Sequence, residues 1–390
     1  MLITAIENLP PALAASVRSE EREWILKKQG LPFAVTPHFA SLAGPEKTDP
    51  IRQQFMPSPL EAKIDPFALA DPLGEELYRI TPRLVHQYSD RVLLLAGGSC
   101  AGFCRYCFRR ETMSSPSAFI SGEELKPVLA YLESQPGIRE VLVSGGDPLT
   151  ARDAELEELF LKLRRARPEI VIRLCSRIPI VNPGRLNPDT IAFLGRNKPL
   201  RMAVHINHPG ELSYGSTAVL SSLVAAGIPV LVQTVLLRGI NDNAETLAAL
   251  FGKCLNLGLS PYYLFQLDLA PGVSHFRVPL KKGLLLYEEL KSLFNTGNNE
   301  RDVKIDNDCS GKEPRLGSAA PSGGEPRMAT CKWSGSAAGS SLPPYAVDLP
   351  GGGGKIILHK DLIAGEKDNP SGRVYLLKDA AGKLWEYPVD

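Results

Sequence analysis

The amino-acid sequence predicts an α/β fold organised on a parallel sheet, and three observations predict it. Six short β-rich runs alternate with amphipathic stretches of helical length between about residues 90 and 270. The runs are nearly continuous in apolar character, as strands buried on both faces are. The helical stretches carry start and stop signals where the alternation requires them. Six units do not fill an eight-unit barrel, so a partial (β/α)6 barrel and an open doubly wound sheet both fit.

Taken in order, residues 1 to about 85 read as polar, helical and broken by proline, a cover on a larger domain. RSEEREWILKKQ (18–29) and PFALADPLGEELYRI (66–80) are its helix candidates. The strands follow: RVLLLA (91–96), REVLVSG (139–145), IVIRLCS (170–176), RMAVHIN (201–207), PVLVQTVLL (229–237) and PYYLFQLDL (261–269). Between them lie GEELKPVLAYLESQ, AELEELFLKLRRA, PDTIAFLGRN, TAVLSSLVAAG and AETLAALFGKCLNLG. Ser121 and Glu124 have capping-box spacing before the first helix. Gly227 and Gly258 are C-terminal stops for the last two. Residues 296 to about 340 are rich in Gly, Ser, Pro, Asn and charge, without periodicity, and read as a disordered insertion. The final segment reads as short strands joined by the turns NPSG and AAGK, a small β-hairpin element. The division expected is 1–85, 86–295, 296–340 and 341–390.

Composition excludes several classes. Of 390 residues, 44% are apolar and 22% charged, which rules out wholesale disorder. A net charge of +1 gives no field to draw nucleic acid or an anionic membrane. No apolar run reaches the length of a spanning helix. The first residues lack a basic start and an apolar stretch, so no signal peptide and a cytoplasmic location are expected. Seven cysteines, three of them within eight residues, point to metal or catalysis before disulfides.

Three motifs carry chemistry. Cys100, Cys104 and Cys107 form a CxxxCxxC triplet just after the first strand. A tetrahedral zinc site wants four ligands, usually as two pairs. Three thiolates instead suit a 4Fe–4S cluster with one iron left open for a substrate or cofactor. Strand ends are where α/β folds bind ligands. The second motif, Ser144-Gly145-Gly146-Asp147-Pro148, follows the second strand; its glycines allow close backbone approach. In the third, four glycines precede Lys355. A phosphate loop fails there, because Leu349 stands at its first Gly and Ile356 at its Ser or Thr. A flexible arm holding a reactive lysine fits better, and such an amine forms a Schiff base with an aldehyde cofactor.

The triplet spacing resembles that of radical S-adenosylmethionine enzymes. More closely, the chain resembles the lysine 2,3-aminomutase family, in DRVLLLAGGSCAGFCRYCFRR (90–110), LVSGGDPL (142–149), HINHP (205–209), QTVLLRGIND (233–242), PYYLFQLDL and HFRVPLKKG (within 261–283) and VDLPGGGGK (347–355). The resemblance implies a partial (β/α)6 TIM-like barrel of the radical S-adenosylmethionine type, with an N-terminal helical extension and a small C-terminal β element. It implies that Cys100, Cys104 and Cys107 ligate the cluster and that Lys355 holds pyridoxal phosphate. Gly145, Gly146 and Asp147 match the Gly-Gly-acid motif that contacts the methionyl amino group, and His205 and Gln233 lie near S-adenosylmethionine. Tyr88 and Arg91 match residues that hold the cofactor phosphate. Arg109 matches the arginine that takes the substrate α-carboxylate, a task suited to a guanidinium fork. Asp268 and Asp348 match the aspartates that receive the ε-ammonium of lysine; a glutamate-selective relative would need a cation or neutral donor there.

The activity so implied interconverts lysine and β-lysine. A deoxyadenosyl radical takes hydrogen from the β-carbon, nitrogen migrates through a three-membered radical, and hydrogen returns. β-Lysine made for elongation factor P, and an aminomutase for arginine, are the alternatives. An electron donor such as flavodoxin or ferredoxin is implied, and a homo-oligomer is compatible. The chain departs from the family pattern in places. Gln87 replaces a second phosphate-binding arginine. Asn243 stands where a cysteine would contribute to a structural zinc, so neither that zinc nor the tetramer built around it is expected. Cys175 and Cys254 are read as core residues, and Cys309 and Cys331 as incidental.

Overall fold

A computed structural model describes residues 2–27, 30–113 and 118–295, and the backbone of five strands within 345–388. Ten strands form one sheet whose neighbours follow strictly in chain order. They are β1 (Arg79–Thr81), β2 (Leu84–Tyr88), β3 (Arg91–Gly97), β4 (Glu140–Gly145), β5 (Val171–Ser176), β6 (Leu200–His205), β7 (Val230–Val235), β8 (Ser260–Phe265), β9 (Tyr345–Asp348) and β10 (Lys355–Ile357). β3 to β9 pair in parallel; β1, β2 and β10 join antiparallel. Strict chain order decides between the two architectures. A doubly wound sheet reverses its order at a switch point, and this sheet has none. The fold is a partial barrel of α/β units.

All six sequence-predicted strands form within one to four residues of expectation. Their alternate residues Val141, Val143, Ile172, Leu174, Met202, Val204 and Val232 are fully or almost fully buried. Helices Gly122–Ser134, Asp153–Ala166, Pro188–Arg196, Tyr214–Ala225 and Ala244–Asn256 cross between strands. Ser121 and Glu124 make the reciprocal capping box, and Gly227 and Gly258 adopt φ of 71° and 73° beyond their helices. Near the C-terminus, β11 (Ile363–Asn369), β12 (Gly372–Lys378) and β13 (Leu384–Pro388) form an antiparallel sheet, matching the expected β element.

Two expectations change. Residues 66–80 do not form an α-helix. Pro66 and Pro72 withhold amide donors, Gly74 turns the chain at φ 65°, and only a 3-10 turn, Glu75–Tyr78, precedes β1. A sixth helix, Leu280–Asn295, completes the last unit and carries no start signal in the sequence. The expected boundary near residue 85 falls inside β2. The N-terminal segment shares the barrel's core, because Ile6, Leu13, Val35, Phe39, Ile51 and Phe55 pack in one cluster with Leu94, Val143 and Val204.

Candidate active site

The C-terminal ends of the parallel strands open onto a cavity of about 350 Å³. Every residue between 88 and 268 given a site role from the sequence lines it. β3 delivers Arg91 and, in the following loop, Cys100, Cys104, Cys107 and Arg109. β4 ends in Gly145, Gly146 and Asp147; β6 and β7 bring His205 and Gln233; Asp268 follows β8; Tyr88 comes from β2. Gln87 lines it as well.

The cysteine loop is clamped from the N-terminal segment. Phe103 N–H donates to Ala34 O (3.0 Å), and Arg105 N–H to Gln54 O (2.9 Å). The Arg105 guanidinium is fully buried, spans both oxygens of Glu61 and donates to the carbonyls of Leu31 and Pro32. Gly102 sits at φ 118°, and a Cβ there would stand 3.1 Å from Ala34 O. Burial raises the Cys100 thiol and pushes Cys107 up to about 11, each helped by the neighbouring cysteines. A bound metal must therefore displace their protons.

Among the described residues, no three His, Cys, Asp or Glu groups converge on one ion position. A cubane asks for something else, since each thiolate binds a different iron. Three half-buried thiols on one loop, facing one cavity, fit that donor set.

Sequence reading missed Arg177, which follows β5 directly. Its guanidinium lies between the rings of Phe39 (4.9 Å) and Tyr106 (5.6 Å). Nη1 donates to Cys104 Sγ at 2.9 Å, and Nη2 to Gln54 Oε1 (2.6 Å) and Glu211 Oε2 (3.1 Å). Asn207 closes this network by donating to Gln54 Oε1 (3.1 Å). The available signal was position, because a strand end beside a binding motif is a site by default. Cys175 is a correction of the same kind. It lines the cavity half-buried near the C-terminal end of β5, whereas Cys254 is fully buried as expected.

The Gly-Gly-Asp turn packs against the cysteine loop. A Cβ on Gly145 would meet Gly97 O at 2.2 Å, and one on Gly146 would meet Ser99 O at 2.3 Å. The glycines let this turn press against the cysteine loop, with Gly146 N–H on Gly97 O (2.6 Å) and Asp147 N–H on Ser99 O (2.7 Å). The Asp147 carboxylate accepts from Ser176 Oγ (2.7 and 3.0 Å) and from the amides of Leu149, Arg177 and Ile178. Those donors hold the buried acid to the β5 end, so it acts as a brace.

Elsewhere the cavity is lined by paired cations. Arg91 reaches both oxygens of Asp90 (2.8 and 2.9 Å), with Glu140 at 3.6 Å, which leaves fewer of its five N–H donors for a phosphate. Arg109 lies over the Phe108 ring and binds Glu75, Nη2 to Oε1 and Nε to Oε2 (3.4 Å). His205, beside Gln233 in the β6–β7 register, is held down to about 3 by burial and by Arg177, so it is neutral. Its Nε2 lies 3.1 Å from Asn207 Oδ1, an acceptor, which assigns the proton to Nε2.

Asp348 and Lys355 are described through their strands. They are direct partners in the antiparallel β9–β10 pair. β9 runs beside β8, with Leu264 opposite Tyr345 and Phe265 opposite Ala346, and Asp268 follows three residues after β8 ends. Both residues thus stand at the sheet edge whose adjacent strand leads into the cavity. The insertion, with Cys309 and Cys331, lies outside the described residues.

Residues 94–251 match the Radical SAM superfamily. The L-lysine 2,3-aminomutase of Clostridium subterminale is 33% identical over 338 residues, covering 86% of this chain and 71% of that protein. The L-lysine 2,3-aminomutase of Acetoanaerobium sticklandii is 32% identical, covering 87% and 72%. That of Escherichia coli is 39% identical over 249 residues, covering 63% and 71%.

Proposed function

This chain belongs to the lysine 2,3-aminomutase family of radical S-adenosylmethionine proteins, and on that premise we propose that it interconverts L-lysine and β-lysine. It is an isomerase of the aminomutase kind. The observation that carries the reading is that the cysteine triplet, Arg109 and Asp268 line one cavity. One small pocket thus offers three thiols, a guanidinium for an α-carboxylate and a carboxylate for a distant ammonium. A dibasic amino acid matches that charge pattern, and an acidic side chain would meet Asp268 unfavourably.

The family implies a 4Fe–4S cluster and S-adenosylmethionine, and our reading adds pyridoxal phosphate on Lys355. When bound, these groups supply radical hydrogen transfer and stabilisation of the migrating nitrogen. The chain's own residues do the rest. Arg109 and Asp268 fix the two ends of lysine, which aligns its β-carbon within the cavity. Asp348, one strand over, adds a second carboxylate toward the same ammonium. Tyr88 and Arg91 support the cofactor phosphate. Neutral His205 donates a hydrogen bond without adding charge. The buried strands exclude water from reactive intermediates. A reduced flavodoxin- or ferredoxin-type donor supplies the electron, and a reducing cytoplasm keeps the clustered thiols free. Among the described residues no helix is long and apolar enough to cross a membrane.

The test is anaerobic reconstitution with iron, sulfide, pyridoxal phosphate and reductant, followed by assay of lysine, arginine and glutamate. β-Lysine from lysine alone is expected. Cofactor cleavage with no β-amino product from lysine contradicts the reading.

A further inference from the structure

Arg109 is expected to receive the substrate's α-carboxylate, yet a carboxylate of the protein already sits on it. Glu75 meets the Nε–Nη2 edge of the guanidinium with both oxygens, the two-point geometry by which arginine recognises a carboxylate ligand. Both side chains are largely buried, at 15% and 12% exposure, so the pair is not a solvated surface contact. The backbone of Glu75 is fixed, because Asp71 accepts from the amides of Glu75 (3.0 Å) and Glu76 (2.9 Å). Its side chain is the movable part.

A second cavity, of about 370 Å³, adjoins the first, and Glu75, Phe108, Arg109 and Gly145 line both. The ion pair therefore stands in the partition between the two spaces. On the far side are Arg79 and Arg83. Arg79 is paired with Glu76, and Glu75 lies near enough to add to the negative field around it. A displaced Glu75 side chain consequently has a cation to move toward. If it stayed in place, two carboxylates would crowd one guanidinium, which opposes substrate binding just as displacement does.

We infer that Glu75 is an internal carboxylate that competes with the substrate's α-carboxylate for Arg109 and so sets substrate affinity. The inference rests on the reading of Arg109 in the proposed function. Glu75 is an affinity-determining residue and takes no part in the chemistry. Its effect belongs to the α-carboxylate end of any amino acid the cavity admits, whatever the side chain.

The experiment uses reconstituted holoenzyme and the variants Glu75→Gln and Glu75→Ala. Affinities are measured anaerobically for lysine, arginine, glutamate and 1,5-diaminopentane, which is lysine without its carboxylate. Turnover is measured wherever it occurs. Removing the competing charge should tighten lysine about tenfold, the worth of roughly one charge-assisted hydrogen bond. KM should fall with it, kcat should not rise, and 1,5-diaminopentane should bind as before. Unchanged or weaker lysine binding overturns the inference, because Glu75 would then merely hold Arg109 in place. Equal tightening of lysine and 1,5-diaminopentane also overturns it, because the effect would not concern the carboxylate. A wild-type preference for glutamate would defeat the lysine reading alone, since the ratio of variant to wild-type affinity remains readable on whichever amino acid binds.

Discussion

Arg177 and Arg109 mark two differently built regions of one cavity. Around Arg177 each terminal nitrogen has a protein partner in a different segment: Cys104 in the cysteine loop, Gln54 near the N-terminus and Glu211 after β6. Two aromatic rings cover its faces. Arg109 is held by the Glu75 carboxylate and the Phe108 ring and borders a cavity on each side. The first region is locked and suits a permanent group. The second has a partner that a ligand can replace, and suits a substrate that comes and goes.

The largest expected difference is in stability. Arg177→Met should cost about 3–5 kcal/mol, because it leaves Glu211 and Gln54 buried without their cation. Arg109→Met should cost less, about 1–3 kcal/mol, because the largely buried Glu75 loses its cation but borders a cavity and has Arg79 nearby. Denaturant unfolding of the two variants, in the absence of cofactors, checks the contrast. Equal losses would break it.

A smaller effect concerns pH. His205 is lowered to about 3 and His275 to about 4, each chiefly by burial. The unfolded chain binds their protons near 6.5, so it holds more protons than the folded chain between these values. Stability should be complete above about pH 6.5 and fall as pH drops toward 4, by roughly 1.4 kcal/mol per unit for each of the two histidines. Arg177 is the second cause of the His205 shift, so Arg177→Met should flatten this acid limb relative to wild type. Urea unfolding from pH 4.5 to 7.5 measures it, and an unchanged slope would separate His205 from Arg177.

The sequence made some of this legible and hid the rest. β4 to β8 could be read because a strand buried on both faces must be an apolar run. The helices between them announce themselves by caps and by glycines at positive φ. β1 and β2 could not be read, since three and five residues carry little pattern and their pairing with β3 decides their form. Residues 66–80 have helical composition, but two prolines and Gly74 override it. The helix Leu280–Asn295 begins with Lys281 and Lys282, charges that disfavour a helix start, so no boundary signal marks it. In the site, the residues that the motifs single out between 88 and 268 line one cavity. They did not reveal which groups already have protein partners. Asp147 as a brace, Glu75 on Arg109 and Arg177 on Cys104 depend on residues 29 to 73 positions apart, which no local pattern records.

The central claim is that lysine occupies the same cavity as the group held by Cys100, Cys104 and Cys107. Turnover of lysine deuterated at its β-carbon tests this most directly. Deuterium should appear in 5′-deoxyadenosine and then at the α-carbon of β-lysine. Deoxyadenosine free of deuterium, formed while lysine is present and saturating, would contradict it.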